Sequence, residues 1–406
     1  MTALVISGAW FIKQRREIST VERETVILEK EIAAAVSATV TNNPATESSS
    51  PENIQPESKP LDWPRILPQL DDWKRGTGDF NERMRFEKHI GSMTPYEFGK
   101  TLDEISRLDM PEERRDEIAM ALLPTLVGKD PEMALNRFIK KAGDRRSGSS
   151  FIPSLERAIK IWAEKDSRMA CAWLDRKIAS GVLEGNSISG VNETRLHLEQ
   201  SLFKALLPNS PQSAGDRLMA MNTDEAFLLM GNLVSSATAR ENPDKFAALS
   251  RQSLSDTQSI RILAQAASLP SMDYAAVSAY LDKINASPAE REACVSAAAE
   301  RIIGSLASHR GVTIEEVDAM RSWAGAQHPS IDRLTGKSLG NSIHSEGMSF
   351  AEASELADHY HQTTGNDEVI IGFLSSNAHC DIDGSRVLAE KISDPSIRAE
   401  MLENLK

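Results

Sequence analysis

Cysteine is nearly absent from this chain of 406 residues. There are three, Cys171, Cys294 and Cys380, far apart and odd in number. That excludes a disulfide framework, and no CxxC or zinc-ribbon spacing occurs. Cys171 and Cys294 lie among alanines in helix-forming runs and read as small core residues. Aromatic residues make up only 5% of the chain, and runs of alternating apolar residues are missing, which disfavours a β-sandwich. Positive charge is in deficit, with 46 Lys and Arg against 59 Asp and Glu, for a formal net charge of −13. A surface that acidic repels phosphate backbones and excludes sequence-independent nucleic-acid binding. Two short basic clusters stand out, Lys13 to Arg16 and Lys140-Lys141 to Arg145-Arg146.

Catalytic signatures are also lacking. No HExxH is present. His344, His359, His361 and His379 gather toward the C-terminus, beside Cys380 and Asp381. His359 and His361 are spaced i, i+2 and diverge on a helix, whereas zinc pairs prefer i, i+3 or i, i+4. His379 precedes Cys380 directly, a spacing that points its ring away from the thiol it would have to activate. Gly336-Lys337-Ser338-Leu339-Gly340 matches G-x-S-x-G, but no apolar strand leads into it, so it reads as a chance match in a loop. The same glycine fails as a phosphate-binding loop because Ile331 stands where the first glycine is required. No catalytic, cofactor-binding or metal-ligating residue is therefore assigned, and no cofactor is expected.

What the chain does have is a recurring pair, a capping residue followed by proline: Thr94-Pro95, Asp130-Pro131, Ser210-Pro211, Asn242-Pro243, Ser287-Pro288 and Asp394-Pro395. A side-chain oxygen at the N-cap accepts from an orphan N–H of the first turn, and proline has no N–H to lose there. Each pair predicts a helix start. Capping boxes at Thr94/Glu97, Ser287/Glu290, Thr313/Glu316 and Ser349/Glu352 mark the same or further starts. Their density predicts about 15 to 20 helices between Leu61 and Lys406. Asp367 to Leu374 (DEVIIGFL), the best strand candidate, reads as a buried helix, and Trp162 and Trp173 as wedges between helices.

Local echoes accompany the starts. Lys129-Asp130-Pro131-Glu132-Met133-Ala134 returns as Lys165-Asp166-Ser167-Arg168-Met169-Ala170, with Leu126 and Trp162 preceding at equal distance. Tyr280-Leu281-Asp282-Lys283-Ile284 resembles Trp173-Leu174-Asp175-Arg176-Lys177-Ile178. The echoes favour a quasi-repeat of one helical hairpin, in the range of about 34–47 residues. On these features the chain resembles the tetratricopeptide/HEAT-type α-solenoid class over roughly residues 90–406, at that level only. The tetratricopeptide consensus is not reproduced, and an irregular all-α globule is the rival. The resemblance implies protein or peptide binding along a groove and transfers no functional residue.

Four regions follow. Residues 1–12 form a short apolar segment, TALVISGAWFI after the first Met, ending in Trp10-Phe11 before Lys13, Arg15 and Arg16. That is the pattern of a membrane interface, yet at about 1.5 Å per residue the run covers only half of a ~30 Å hydrocarbon core. A truncated anchor completed by upstream residues, or an ordinary helix beginning, are the two readings. Residues 13–36 form a stalk helix with a short coiled-coil seam, Ile18 to Ala35, that would pair two copies through residues 18–35. Residues 37–60, rich in Ser, Thr, Asn, Glu and Pro, form a disordered linker. Residues 61–406 form the folded part. The expected fold is all-α, an irregular helical-hairpin repeat array preceded by the stalk helix and the linker. The expected function is a membrane-tethered, non-enzymatic scaffold that binds another protein and no nucleic acid. The alternative is a soluble all-α metal-dependent enzyme using the C-terminal His/Cys/Asp region.

Overall fold

The computed structural model describes residues 61–142, 151–183, 192–343 and 348–405. The chain divides after Lys59, and all the described residues belong to the unit Pro60–Lys406. The expectations for residues 1–12, 13–36 and 37–60, and those for Arg145, Arg146 and His344, lie outside the described residues.

Among the described residues there are twenty-one helices and no strand. They open with α1 (Trp63–Arg75), α2 (Phe80–Ser92), α3 (Pro95–Arg107), α4 (Glu112–Lys129), α5 (Pro131–Ala142), α6 (Ile152–Lys165) and α7 (Ser167–Ala179). Next come α8 (Glu193–Asn209), α9 (Pro211–Met219), α10 (Thr223–Leu233), α11 (Ala237–Glu241), α12 (Pro243–Ser253), α13 (Asp256–Ala267) and α14 (Tyr274–Lys283). The last are α15 (Pro288–Arg310), α16 (Ile314–Gly325), α17 (Ile331–Ser342), α18 (Phe350–Thr364), α19 (Glu368–Asn377), α20 (Ile382–Ala389) and α21 (Pro395–Glu403). The number slightly exceeds the expected range because short pieces such as the five-residue α11 carry too little periodicity to be read from sequence.

All six cap–proline pairs start helices, with the proline as first residue of α3, α5, α9, α12, α15 and α21. The four expected capping boxes form, and a fifth at Ser255/Gln258 was legible only by admitting glutamine at the third position. Ser210 and Asn242 depart from expectation, since their side chains do not cap the helices they start; the Asn242 amide donates to Thr238 O at 3.0 Å, at the end of α11. They are corner residues instead, each ending one helix and starting the next. Their N–H groups donate back to Leu206 O and Thr238 O at 2.6 and 3.1 Å. Asp130 and Asp166 do both jobs. Their backbones nearly coincide (φ −142°, ψ 85° and φ −146°, ψ 86°). Their N–H groups reach Leu126 O and Trp162 O at 2.7 Å, and their carboxylates accept from Met133 N and Met169 N at 2.8 and 2.9 Å. The sequence echo is thus one corner built twice.

The corners lay the helices out in two layers. In the first, α4, α6, α8, α10, α13, α15, α17 and α19 each pack on the next. In the second, polar contacts tie helices across successive hairpins. Trp173 Nε1 donates to Asn136 Oδ1 at 2.8 Å, Arg217 Nη1 to Asp175 Oδ1 at 2.7 Å, Trp323 Nε1 to Ser278 Oγ at 2.9 Å, and Tyr360 OH to Asp318 Oδ1 at 2.8 Å. These partners stand 37, 42, 45 and 42 residues apart, one hairpin each. Trp162 and Trp173 are buried wedges as expected, with ring centroids 6.1 Å apart.

Gly336 to Gly340 lies in α17, not in a loop. On a helix these glycines fall four apart on one face and let α19 approach until backbones touch. A Cβ on Gly336 would collide with the Val369 carbonyl, and one on Gly372 with the Arg333 carbonyl. Asn377 Nδ2 crosses the contact to Gly340 O at 3.0 Å. The segment DEVIIGFL enters α19 at Glu368 and is buried from Val369 to Leu374.

Candidate functional site

Among the described residues the C-terminal groups are distributed, not convergent. His361 Nε2 faces Asp367 Oδ1 at 3.1 Å. The His359 ring packs edge-on against Tyr360. Cys380 Sγ donates to Asn377 Oδ1 at 2.6 Å, and Asp381 caps α20 through Gly384 N at 2.9 Å. His379 and Cys380 are exposed beside an open hollow of about 510 Å³. Asp367 also accepts from Ser393 N at 2.8 Å. Burial works against its charge, but the bonds from His361 and Ser393 outweigh it and hold the carboxyl below its usual range. Among the described residues no group of three or more His, Cys, Asp or Glu is placed to hold a metal. Cys171 is half-buried and Cys294 fully buried, so Cys380 is the exposed thiol of the three.

A different site stands out, a cleft of about 300 Å³ between α11–α12 and α14. Its origin is local. On α14, Ala276, Ala279, Tyr280 and Lys283 follow the spacing i, i+3, i+4, i+7 and so form one face. The two alanines on that face fill little space. Opposite stand Ala239 and Arg240 of α11 and Pro243 and Phe246 of α12. Val234, Ala266, Leu269 and Met272 complete the lining. The hairpin α10–α12 is interrupted by an extra helix, α11, and the cleft opens beside that interruption.

The equivalent place earlier in the second layer is closed. Trp173, the counterpart of Tyr280 in the sequence echo, is 1% exposed, packs on Trp162 and bonds Asn136. Tyr280 is half-buried and its ring lines the open cleft. Its hydroxyl is buried with no partner among the described residues, and burial raises its pKa strongly, with Cys294 nearby adding to the shift. Burial pushes the Cys294 thiol up to about 12.

Behind Tyr280 the structure is braced. Arg251 donates to Glu290 through Nε (2.7 Å) and Nη2 (2.8 Å), and to Ile284 O at 3.0 Å. Glu290 also accepts from Ser287 N at 2.8 Å in its capping box. One carboxylate therefore joins α12 to the α14–α15 corner. The mouth carries two charged side chains, Arg240 and Lys283, both exposed, on opposite walls, and neither forms an ion pair with another described residue. Among the described residues no acidic side chain lines the cleft.

The sequence reading missed these residues. The available signal was the echo itself, in which a tyrosine with two alanines on its helix face replaces a buried tryptophan. Comparison of the chain with known protein families, with curated proteins and with solved structures finds no match.

Proposed function

We propose that the chain is a non-enzymatic scaffold, attached to a membrane through its N-terminus, whose helical array holds a segment of another protein. The array is of the α-solenoid kind that tetratricopeptide and HEAT proteins represent. Stacked hairpins of this kind present side chains from several repeats to one ligand, which suits protein binding. The observation that carries the reading is the cleft at α11–α14. It is apolar inside, open to solvent, braced behind and rimmed by two cations with no ion-pair partner among the described residues, which is the anatomy of a recognition site with an anchor pocket and a polar edge.

A photo-reactive benzoylphenylalanine in place of Ala279, an exposed residue of the lining, tests the reading in cells expressing the full chain. Irradiation should give one discrete adduct with a polypeptide. The same group in place of Glu403, exposed on α21, should give none. Equal smears from both positions, or no adduct from either, count against a docked partner.

The membrane part rests on the Trp10-Phe11 edge followed by Lys13, Arg15 and Arg16. A spanning anchor should stay in the membrane pellet at high salt and leave only with detergent, whereas an interfacial helix should be released as charge is screened. Recovery of the full chain in the soluble fraction from the start would refute attachment. The seam at residues 18–35 would pair two copies, which sedimentation of the full chain measures.

A further inference from the structure

Resting on that reading, we propose that the α11–α14 cleft takes an acidic, apolar-anchored segment of the partner protein: one bulky apolar side chain enters the hollow, and a carboxylate on each side of it reaches Arg240 and Lys283. Charge complementarity is the first argument. The chain carries a formal charge of −13, yet the charged groups lining this cleft are both positive and both unpaired among the described residues. Each lies in the last turn of its helix, where it offsets the helix dipole, and neither has a carboxylate among the described residues to satisfy it at the edge of the apolar hollow. They favour an anionic ligand and repel a cationic one.

Size and placement narrow the occupant. A volume of about 300 Å³ lies at the lower end of the range of about 300–1,000 Å³ for ligand pockets. It admits a large side chain or two, but not a helix of about 10 Å diameter. The half-buried Tyr280 ring offers aromatic surface to that side chain. Arg240 belongs to α11 and Lys283 to α14, so the cations stand on facing walls and the anchor enters between them. The partner's acidic groups accordingly bracket its anchor. The chain's own apolar residues 2–12 are a poor occupant, because Lys13, Arg15 and Arg16 follow them at once and would meet the basic mouth.

The test uses the full chain and a displayed library of random peptides about a dozen residues long. Enriched peptides should share a large apolar residue flanked by Asp or Glu. Synthetic copies should bind the parent, lose affinity as salt rises, and bind the Arg240→Glu, Lys283→Glu double variant at least about tenfold more weakly. Ala279→Trp, which fills the hollow from an exposed position, should abolish binding while the helical dichroism and melting point stay at parental values. Peptides blocked by Ala279→Trp but without acidic residues would overturn the charge assignment and leave the docking reading in place. Peptides indifferent to Ala279→Trp would remove this cleft as the site. A library that yields no binder would count against peptide recognition altogether.

Discussion

Glu290 accepts from Arg251 with both oxygens while capping α15. Burial opposes its charge, but the bonds from Arg251 and Ser287 prevail, so its pKa lies below the ordinary glutamate value. A depressed carboxyl stabilises the fold fully above its unfolded pKa, about 4.3, and that stabilisation is lost as pH falls through the lower folded value. Urea midpoints measured between about pH 3 and pH 7 should therefore fall on the acid side for the parent. Glu290→Gln should start lower at neutral pH and show a shallower acid fall. An unchanged acid slope would mean the pair contributes nothing. A second contrast separates the echoed aromatics. Trp173→Ala, in a closed slot, should cost about 3–5 kcal/mol. Tyr280→Ala should cost clearly less, because its ring already faces an open cleft and its hydroxyl gives up no bond. Calorimetry of the two variants measures the difference. Trp173 was readable as a wedge because a large aromatic on an apolar helix face has few other places to go. The cleft was not readable, since it depends on what Ala276 and Ala279 leave unfilled across a contact distant in sequence.

At the scale of elements, the helix starts were the most legible part of the chain. A cap and a proline act within one turn, so their effect needs no tertiary information. Asp166→Ala removes the bond to Met169 N and should cost about 1 kcal/mol. Asn at the same position should restore most of it, because its side-chain oxygen caps equally well. If Ala and Asn melt alike, the corner is held by its backbone bond to Trp162 alone. The seam between α17 and α19 was illegible for the opposite reason. A glycine pair four apart carries no apolar signal, and its meaning appears only when Gly372 arrives from another helix. Gly336→Ala should cost at least about 3 kcal/mol, because the new methyl meets the Val369 carbonyl, which cannot rotate away as a side chain can. Gly304, whose Cβ position is open, provides the control. Gly304→Ala should stabilise slightly, by up to about 1 kcal/mol.

At the scale of the whole helical unit, each hairpin leans mainly on its neighbours in the two layers, and stability in such arrays adds up from local and nearest-neighbour terms. Gly336→Ala should therefore raise amide exchange in α17 to α21 and leave α4 to α8 nearly as protected as in the parent. Uniform loss of protection over all the helices would mean that the unit unfolds as one block. The single-residue corners carry a different consequence, for how such a chain can change length. At Asp130, Asp166, Ser210 and Asn242 one residue closes a helix and opens the next, so there is no slack to absorb an insertion. One added residue turns everything downstream by about 100° at that corner and rotates a buried face into water. Residues 268–273, between α13 and α14, have room, and they include Leu269 and Met272 of the cleft. Insertions and deletions in descendants of this chain should accumulate there, reshaping a wall of the cleft while leaving the register of the packed layers unchanged.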